Sequence, residues 1–416
     1  MTIDDIRRLN HIRYTSFIQL VNNPHSLLVC YILFFARAVK SFIFHRHLKS
    51  PSSPVLFYAP TVNNMRALQT VIDNLETENI VWGDNNKNLP LSRVYLKSMK
   101  RMGLFRKFYS SSSTKEKALI RMYYRSFMTT AGWYEVINEI LDANPQIKTI
   151  VLANDHSIEN RCLIELAEIK GIKTVYVQHA SITEKFPPLH FTYSFLDGMD
   201  SFNKYAAIGD IQGHVIVCGS PRFDVVAQYR NINKIYDVGI ALNEMDNIEE
   251  VHSLCVYIHD NYSLKLAVRP HPRMRINRGD FENKGIAFSD SKSESSFSFL
   301  SKIKILIANE SSIHLDAALI GTPSVLFNFS GRDTVDWYSY LKNGLMPICH
   351  THEELLSEIR NPHKISEEAV RYYIASYMTK WDGKIGLLVS SLIDCICKER
   401  DEEWVVENSE FMSKEV

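Results

Sequence analysis

Short runs of apolar, β-branched residues recur along this chain, and most are apolar throughout rather than strictly alternating. Strands buried on both faces read this way, and they belong to parallel sheets covered by helices on either side. Two of the runs, Leu264 to Val268 and Ile303 to Ala308, hand over directly to polar segments. These are Arg269-Pro270-His271-Pro272-Arg273 and Asn309-Glu310-Ser311-Ser312-Ile313-His314-Leu315-Asp316. In open α/β sheets, ligands bind outside the carboxyl ends of the strands. Arg269 and His271 offer charge-assisted donors beside Pro272. Asn309 and Glu310 lead into Ser311 and Ser312, whose hydroxyls and amides would open a helix with an anion-favouring dipole. A nucleotide phosphate fits both segments. Taken singly, each also fits an ordinary strand-ending turn or an ordinary N-cap; on successive βα units they read together as a donor-nucleotide site.

A chain of 416 residues exceeds the size at which one core stops growing, so two domains are expected. Val55 to Ala59 reads as a first buried strand after the breaker Pro51-Ser52-Ser53-Pro54, Asn63 to Leu75 as a helix, and Ile80 to Trp82 as a weaker strand. Leu91 to Ala143 is mainly helical with a break at Ser110 to Ser113. Thr149 to Ala153 and Lys173 to Val177 are strands around a helix closed by Gly171. Tyr205 to Ile208 and His214 to Cys218 complete a first half. Asp237 to Leu242, Leu264 to Val268, Ile286 to Phe288, Ile303 to Ala308 and Ser324 to Phe327 supply a second. The expected division is an N-terminal helical segment over 1–50, an acceptor domain over 51–230, a nucleotide-donor domain over 231–365, and helices over 366–400 packing back. The tail beyond Glu399 is acidic and expected to be loose.

Lysine plus arginine equals aspartate plus glutamate, 47 of each, so no global field attracts nucleic acid. Seven cysteines without paired spacing read as free thiols of a reducing compartment. The apolar run Leu27 to Ala36 is followed by Arg37 and Lys40, then by His45, Arg46, His47 and Lys49. It falls short of the about 20 apolar residues a spanning helix needs, and it lacks a signal-cleavage site. An interfacial helix at the inner face of a membrane and a buried domain helix both fit.

The loops of the first half carry further chemistry. Asp155, in Asn154-Asp155-His156, and His179, in Gln178-His179-Ala180-Ser181, each follow a predicted strand. Asp155 is the favoured general base, with His179 positioning substrate or taking that role instead; the ordinary alternative for Asp155 is a helix N-cap. Lys185 to Ser201 is too long for a simple βα connection and reads as a substrate loop. Gly219-Ser220-Pro221-Arg222 puts an arginine at the expected domain junction, for a phosphate or sugar carboxylate, or for a salt bridge to Asp224 or an interdomain acid.

These segments, together with Gly321-Thr322-Pro323, resemble bacterial GT-B transferases that build capsule, lipopolysaccharide or teichoic-acid chains; the resemblance covers roughly residues 149 to 345. It implies an α/β fold of two facing Rossmann-like domains with an interdomain cleft. Two branches share such motifs. Glycosyltransferases using a CMP-activated keto sugar hold CMP with a His-Pro pair and a Ser/Thr pair, whereas CDP-glycerol glycerophosphotransferases carry Gln-x-His-Gly and Ser-Ser after Asp-Tyr. This chain has Ala180 in place of that glycine, and its Ser-Ser follows Asn309-Glu310.

The resemblance implies a cytoplasmic enzyme that passes a CMP-activated acidic keto sugar, Kdo or sialic-acid-like, to a glycan or lipid-linked acceptor. Arg269, His271, Pro272, Asn309, Glu310, Ser311, Ser312, Ser220 and Arg222 would bind the donor. His156, Gln178, Ser181 and Lys185 would bind the acceptor, with peripheral membrane contact and no nucleic-acid partner. No cofactor and no metal are expected, since no Asp-x-Asp strand end and no His-Glu-x-x-His appears. A CDP-glycerol-type polyol-phosphate transferase, a UDP-GlcNAc 2-epimerase-like enzyme and a non-catalytic nucleotide-binding subunit are the alternatives.

Overall fold

The structure, a computed structural model, describes residues 1–10, 24–43, 52–83, 89–183 and 186–412. The chain forms two compact units, Met1–Arg222 completed by Lys384–Val416, and Phe223–Gly383.

The first unit is built on six parallel strands: β1 (Val55–Tyr58), β2 (Asn79–Trp82), β3 (Thr149–Leu152), β4 (Lys173–Val177), β5 (His190–Leu196) and β6 (Gln212–Val217). Their order is β2-β1-β3-β4-β5-β6. β1 and β3 are buried along their whole length, which is why their sequences do not alternate. One face packs Leu56, Leu152, Tyr176 and Leu196 with Trp133, Ile140, Cys162 and Leu166 from the flanking helices. Four helices, Leu91–Lys100, Met102–Ser111, Thr114–Met122 and Tyr124–Asp142, separate β2 from β3. Gly132 lets the last of them cross the first closely: a Cβ there would stand 2.1 Å from both Ser98 Oγ and Val94 O.

The N-terminal helices Ile3–Leu9 and Leu27–Ile43 join this helical insertion. Ile6, Cys30, Phe34 and Ala38 pack with Tyr95, Phe105, Phe108 and Phe127. One line of the helix Leu27–Ile43 is therefore core, and no helix among the described residues is long and apolar enough to cross a membrane.

The second unit repeats the plan with β7 (Tyr236–Ala241), β8 (Leu266–Arg269), β9 (Ala287–Phe288), β10 (Ile303–Ala308), β11 (Ser324–Phe327) and β12 (Ile348–Cys349). All pairings are parallel, in the order β12-β11-β10-β7-β8-β9. Leu306, Leu315, Leu319 and Val370 form the core on one face, and Val238, Ile240, Leu254, Ile258 and Val268 form it on the other. Gly321 stops the helix Ile313–Leu319 at φ +79°, a left-handed conformation that a side chain would strain.

Three expectations about elements are corrected. His190–Leu196, expected within an irregular loop, is a strand paired between β4 and β6, as its aromatic and β-branched composition suits. Tyr205 to Ile208, expected as a strand, is the last turn of the helix Met199–Ile208, because so short an apolar run carries no decisive period. The C-terminal tail is not loose as far as Met412. Asp401 accepts from Lys173 Nζ and Tyr193 Oη, and Trp404 packs edge-on to Phe195 while donating Nε1–H to Ser391 Oγ at 2.8 Å. The helix Glu367–Tyr373 stays in the second unit, whereas Ile385–Cys397 packs on Val62–Asn74 in the first.

Gly132→Ala overpacks a helix crossing with no room for a methyl group. The expected loss is about 1–3 kcal/mol, read as a lower urea midpoint at unchanged m-value.

Candidate functional site

In the first unit, neighbouring strands deliver four loops to one edge of the sheet. β3 leads to Asp155 and His156, β4 to Gln178 and His179, β5 to Asp197, and β6 to Ser220 and Arg222. Asp155 is not the N-cap of the next helix; Ser157 holds that position and accepts from Asn160 N. Asp155 is 1% exposed, and among the described residues neither carboxylate oxygen has a hydrogen-bond donor. His156 Nδ1 stands 2.6 Å from Asp155 Oδ1 but without hydrogen-bond alignment. The guanidinium of Arg161 supplies compensating charge to Asp155, although its own Nε is buried without an acceptor. Buried polar groups left this way cost free energy and concentrate at sites of chemistry.

His179 lies beside this pair. Burial, then the charges of His156 and Arg222, push its pKa down to about 4 against the opposing pull of Asp155. The imidazole is therefore neutral near pH 7. Arg222 pairs with Asp197, Nη2 to Oδ2 at 2.9 Å, and Nη1 donates to the His179 carbonyl at 3.4 Å. This salt bridge is made within the first unit, to Asp197, an acid not among those expected for Arg222. Burial raises the Asp197 pKa, while Arg222 and the Ser220 hydroxyl oppose that shift. Gln178 is an internal strut rather than a projecting group. Its Nε2 donates to Ala180 O and Ser201 Oγ at 2.9 and 2.8 Å, and its Oε1 accepts from Asp197 N at 2.9 Å. His156 meets Phe186 edge-on, with ring centroids 4.2 Å apart. Ser181 is half-buried in the adjoining turn. Lys185, an expected acceptor contact, lies outside the described residues.

In the second unit, β10, β7 and β8 are neighbours, so their loops share an edge. Asn309 is buried, and its Nδ2 donates to Asp246 Oδ1 at 2.8 Å; Asp246 also accepts from Asn243 N at 2.7 Å. Burial raises the Asp246 pKa, and these bonds oppose it. Glu310 accepts from the amides of Val335 and Trp337 at 3.1 and 3.0 Å. Ser311 Oγ accepts weakly from Ile313 N at 3.4 Å. Ser312 is exposed at the N-cap position of Ile313–Leu319 without a side-chain capping bond. Beneath them His314 is fully buried with Nε2 3.1 Å from the Asn309 carbonyl, and desolvation pushes its pKa down to about 4.

Arg269 is buried and occupied. It donates to Ser289 Oγ at 2.9 Å and Glu294 O at 2.8 Å, with its guanidinium 5.7 Å from the Phe299 ring centroid. His271 is half-buried, with Nδ1 3.8 Å from Glu244 Oε1, and Arg273 pairs with Glu244 at 2.7 Å. Pro272 is exposed in the same turn.

Sequence reasoning missed Arg161, Glu244 and Asp246, and treated Asp197 only as part of a loop. The available signal was position: Glu244 and Asp246 lie just beyond an apolar strand, as Asp155 does. Among the described residues no group of three or more His, Cys, Asp or Glu side chains is arranged to hold a metal ion.

No family model and no curated protein matches the sequence. Solved structures do match the fold. A UDP-GlcNAc 2-epimerase from Methanocaldococcus jannaschii is 11% identical at a TM-score of 0.51, over 82% of this chain and 99% of that one. The enzyme from Neisseria meningitidis bound to UDP-GlcNAc is 13% identical at 0.50, over 83% and 99%. The wall teichoic acid polymerase TagF is 12% identical at 0.49, over 90% and 99%. With its two six-stranded parallel sheets, the chain has the two-Rossmann-domain GT-B fold.

Both buried histidines resist protonation, so below pH 6.5 the unfolded chain binds protons that the folded chain refuses. Their contribution to stability is complete above that pH and is lost as pH falls toward 4. For His314 the shift from 6.5 to about 4 corresponds to roughly 3 kcal/mol. The urea midpoint should fall between pH 6.5 and 4.5, and His314→Gln should flatten that dependence.

Proposed function

We propose that this protein is a nucleotide-sugar-dependent glycosyltransferase of bacterial surface-polysaccharide assembly, with a CMP-activated acidic keto sugar as donor and a glycan or lipid-linked acceptor. The observation that carries a catalytic role is Asp155, a fully buried carboxylate with no hydrogen-bond donor among the described residues, set against His156 at the carboxyl edge of a parallel sheet. At 1% exposure Asp155 acts on an acceptor through its neighbour. The carboxylate, 2.6 Å from His156 Nδ1, stabilises the positive charge the imidazole gains when it takes the acceptor hydroxyl proton. The acceptor oxygen then bonds to the anomeric carbon while the bond from that carbon to the phosphate oxygen breaks, releasing the nucleotide. His179, neutral at pH 7, and Ser181 contribute hydrogen bonds to the acceptor rather than charge.

The donor phosphate is assigned to the second unit. His271 and the exposed Ser312, with Ser311, supply donors on loops that share one sheet edge. Arg269, Asn309 and Glu310 serve that site by holding its loops, since their polar groups are already engaged. Arg222 with Ser220 holds Asp197 and the His179 loop. The choice of CMP rests on the likeness of the His-Pro and Ser-Ser segments to the keto-sugar transferases.

Thermal stabilisation by CMP, CDP, UDP, UMP and GDP tests the donor. A selective response to CMP that is lost in His271→Ala is expected, and the paired change of Ser311 and Ser312 to Ala should weaken binding by about 1–3 kcal/mol. Selectivity for CDP would replace the reading with polyol-phosphate transfer, selectivity for UDP would replace it with UDP-sugar chemistry including 2-epimerisation, and no response would overturn it. Asp155→Asn should keep nucleotide binding and lower turnover about 10²–10⁴-fold. Full turnover in that variant would remove Asp155 from the mechanism.

A further inference from the structure

The helix Leu27–Ile43 has two apolar faces, and among the described residues only one of them is covered. Cys30, Phe34 and Ala38, spaced by four, are the buried line. Leu28, Ile32, Phe35, Val39 and Phe42 form a second stripe, spaced by three and four, on the far side of the helix. Leu28 is 70% exposed, Ile32 57%, Phe35 46% and Val39 58%, and Ile43 extends the stripe at 70%. Isolated exposed apolar residues are ordinary, but a continuous stripe over a whole helix marks an interaction surface.

The charges around it select the occupant. Lys40 is on one flank of the stripe, and Arg106, exposed with its guanidinium 5.9 Å from the Tyr31 ring centroid, is on the other. Arg37 lies toward the buried side, where its Nε donates to Tyr124 Oη at 3.1 Å. Between Asp5 and Asp73 the sequence contains no acidic residue. A protein partner of mixed charge would be matched by mixed charge, whereas among the described residues the charged side chains placed beside this stripe, Lys40 and Arg106, are cations. The helix is about 25 Å long and one line of it is committed to the protein core, so it can lie along a bilayer but not cross it.

We propose that the exposed face of the helix Leu27–Ile43 docks the protein onto an anionic phospholipid surface, with the apolar stripe entering the boundary between headgroups and acyl chains and the flanking cations pairing with lipid phosphates. This surface is independent of the nucleotide chemistry proposed above, and it fails or stands separately.

Vesicle flotation of the full chain tests it. Vesicles of equal parts phosphatidylcholine and phosphatidylglycerol should carry the wild type, and vesicles of phosphatidylcholine alone should carry at least several-fold less, with the difference reduced at high salt. The combined variant Ile32→Gln, Phe35→Gln and Val39→Gln alters exposed positions only. It should keep the wild-type urea midpoint and circular dichroism yet lose flotation. Lys40→Glu should weaken flotation on anionic vesicles alone. A wild type that does not float, or a folded triple variant that floats equally, overturns the proposal. So does a wild-type dimer in sedimentation velocity that the triple variant converts to monomer while neither floats, which would make the stripe a contact between copies of this chain.

Discussion

Covering both faces of two parallel sheets is the constraint on which the rest of this molecule depends. Strands such as β1, β3 and β8 are buried at every position, and their ladders consume their backbone polar groups. Side chains that must meet water or a ligand are thereby excluded from the strands and displaced to the loops that follow them. Because neighbouring parallel strands end at the same edge, residues far apart in sequence converge. Asp155, His179, Asp197 and Arg222 meet in one unit, and Asp246, His271 and Asn309 share an edge in the other. Strand order, more than any single motif, assembles each cluster.

Within those clusters the buried charges are compensated unequally. Asp246 has an amide from its own turn and a side-chain amide from Asn309. Asp197 has Arg222 at 2.9 Å and the backbone tie through Gln178. Arg269 has a hydroxyl, a carbonyl and an aromatic face. Asp155 has a close imidazole and a nearby guanidinium but, among the described residues, no hydrogen bond. An unsatisfied buried group costs about 1–3 kcal/mol, more when charged, so a fold that keeps one does so against its own stability. That contrast separates Asp155 from the structural carboxylates around it.

Much of this was legible in the sequence where apolar runs were long. Ile303 to Ala308 and Thr149 to Leu152 announced buried strands, and the segments after them announced loops at the carboxyl edge of a sheet. Legibility failed where local signals were weak or where tertiary contacts decide. His190–Leu196 lay between Pro187-Pro188 and Gly198, and those breakers concealed a strand. Trp404 and Asp401 are held by Ser391, Lys173 and Tyr193, partners that no local pattern reveals. The segment Asn309 to Ser312 stood out as a motif, but the division of labour among its side chains did not. Nothing in Asn309-Glu310-Ser311-Ser312 tells a reader that the first two side chains face inward to hold loops while Ser312 is left exposed.

Glu310 shows what that division can do. Its carboxylate accepts two amides, from Val335 and Trp337, and between them Asp336 adopts a left-handed conformation at φ +51°. Asp336 in turn accepts from the amides of Leu341 and Lys342, and Ser339, also left-handed, lies inside the turn it closes. Such backbone costs on the order of 1–3 kcal/mol per residue and persists only where the surroundings over-determine it. Here four amide-to-carboxylate bonds do so, two of them made by the residue that directly precedes Ser311. The exposed Trp337 is therefore tied to the serine pair through one side chain.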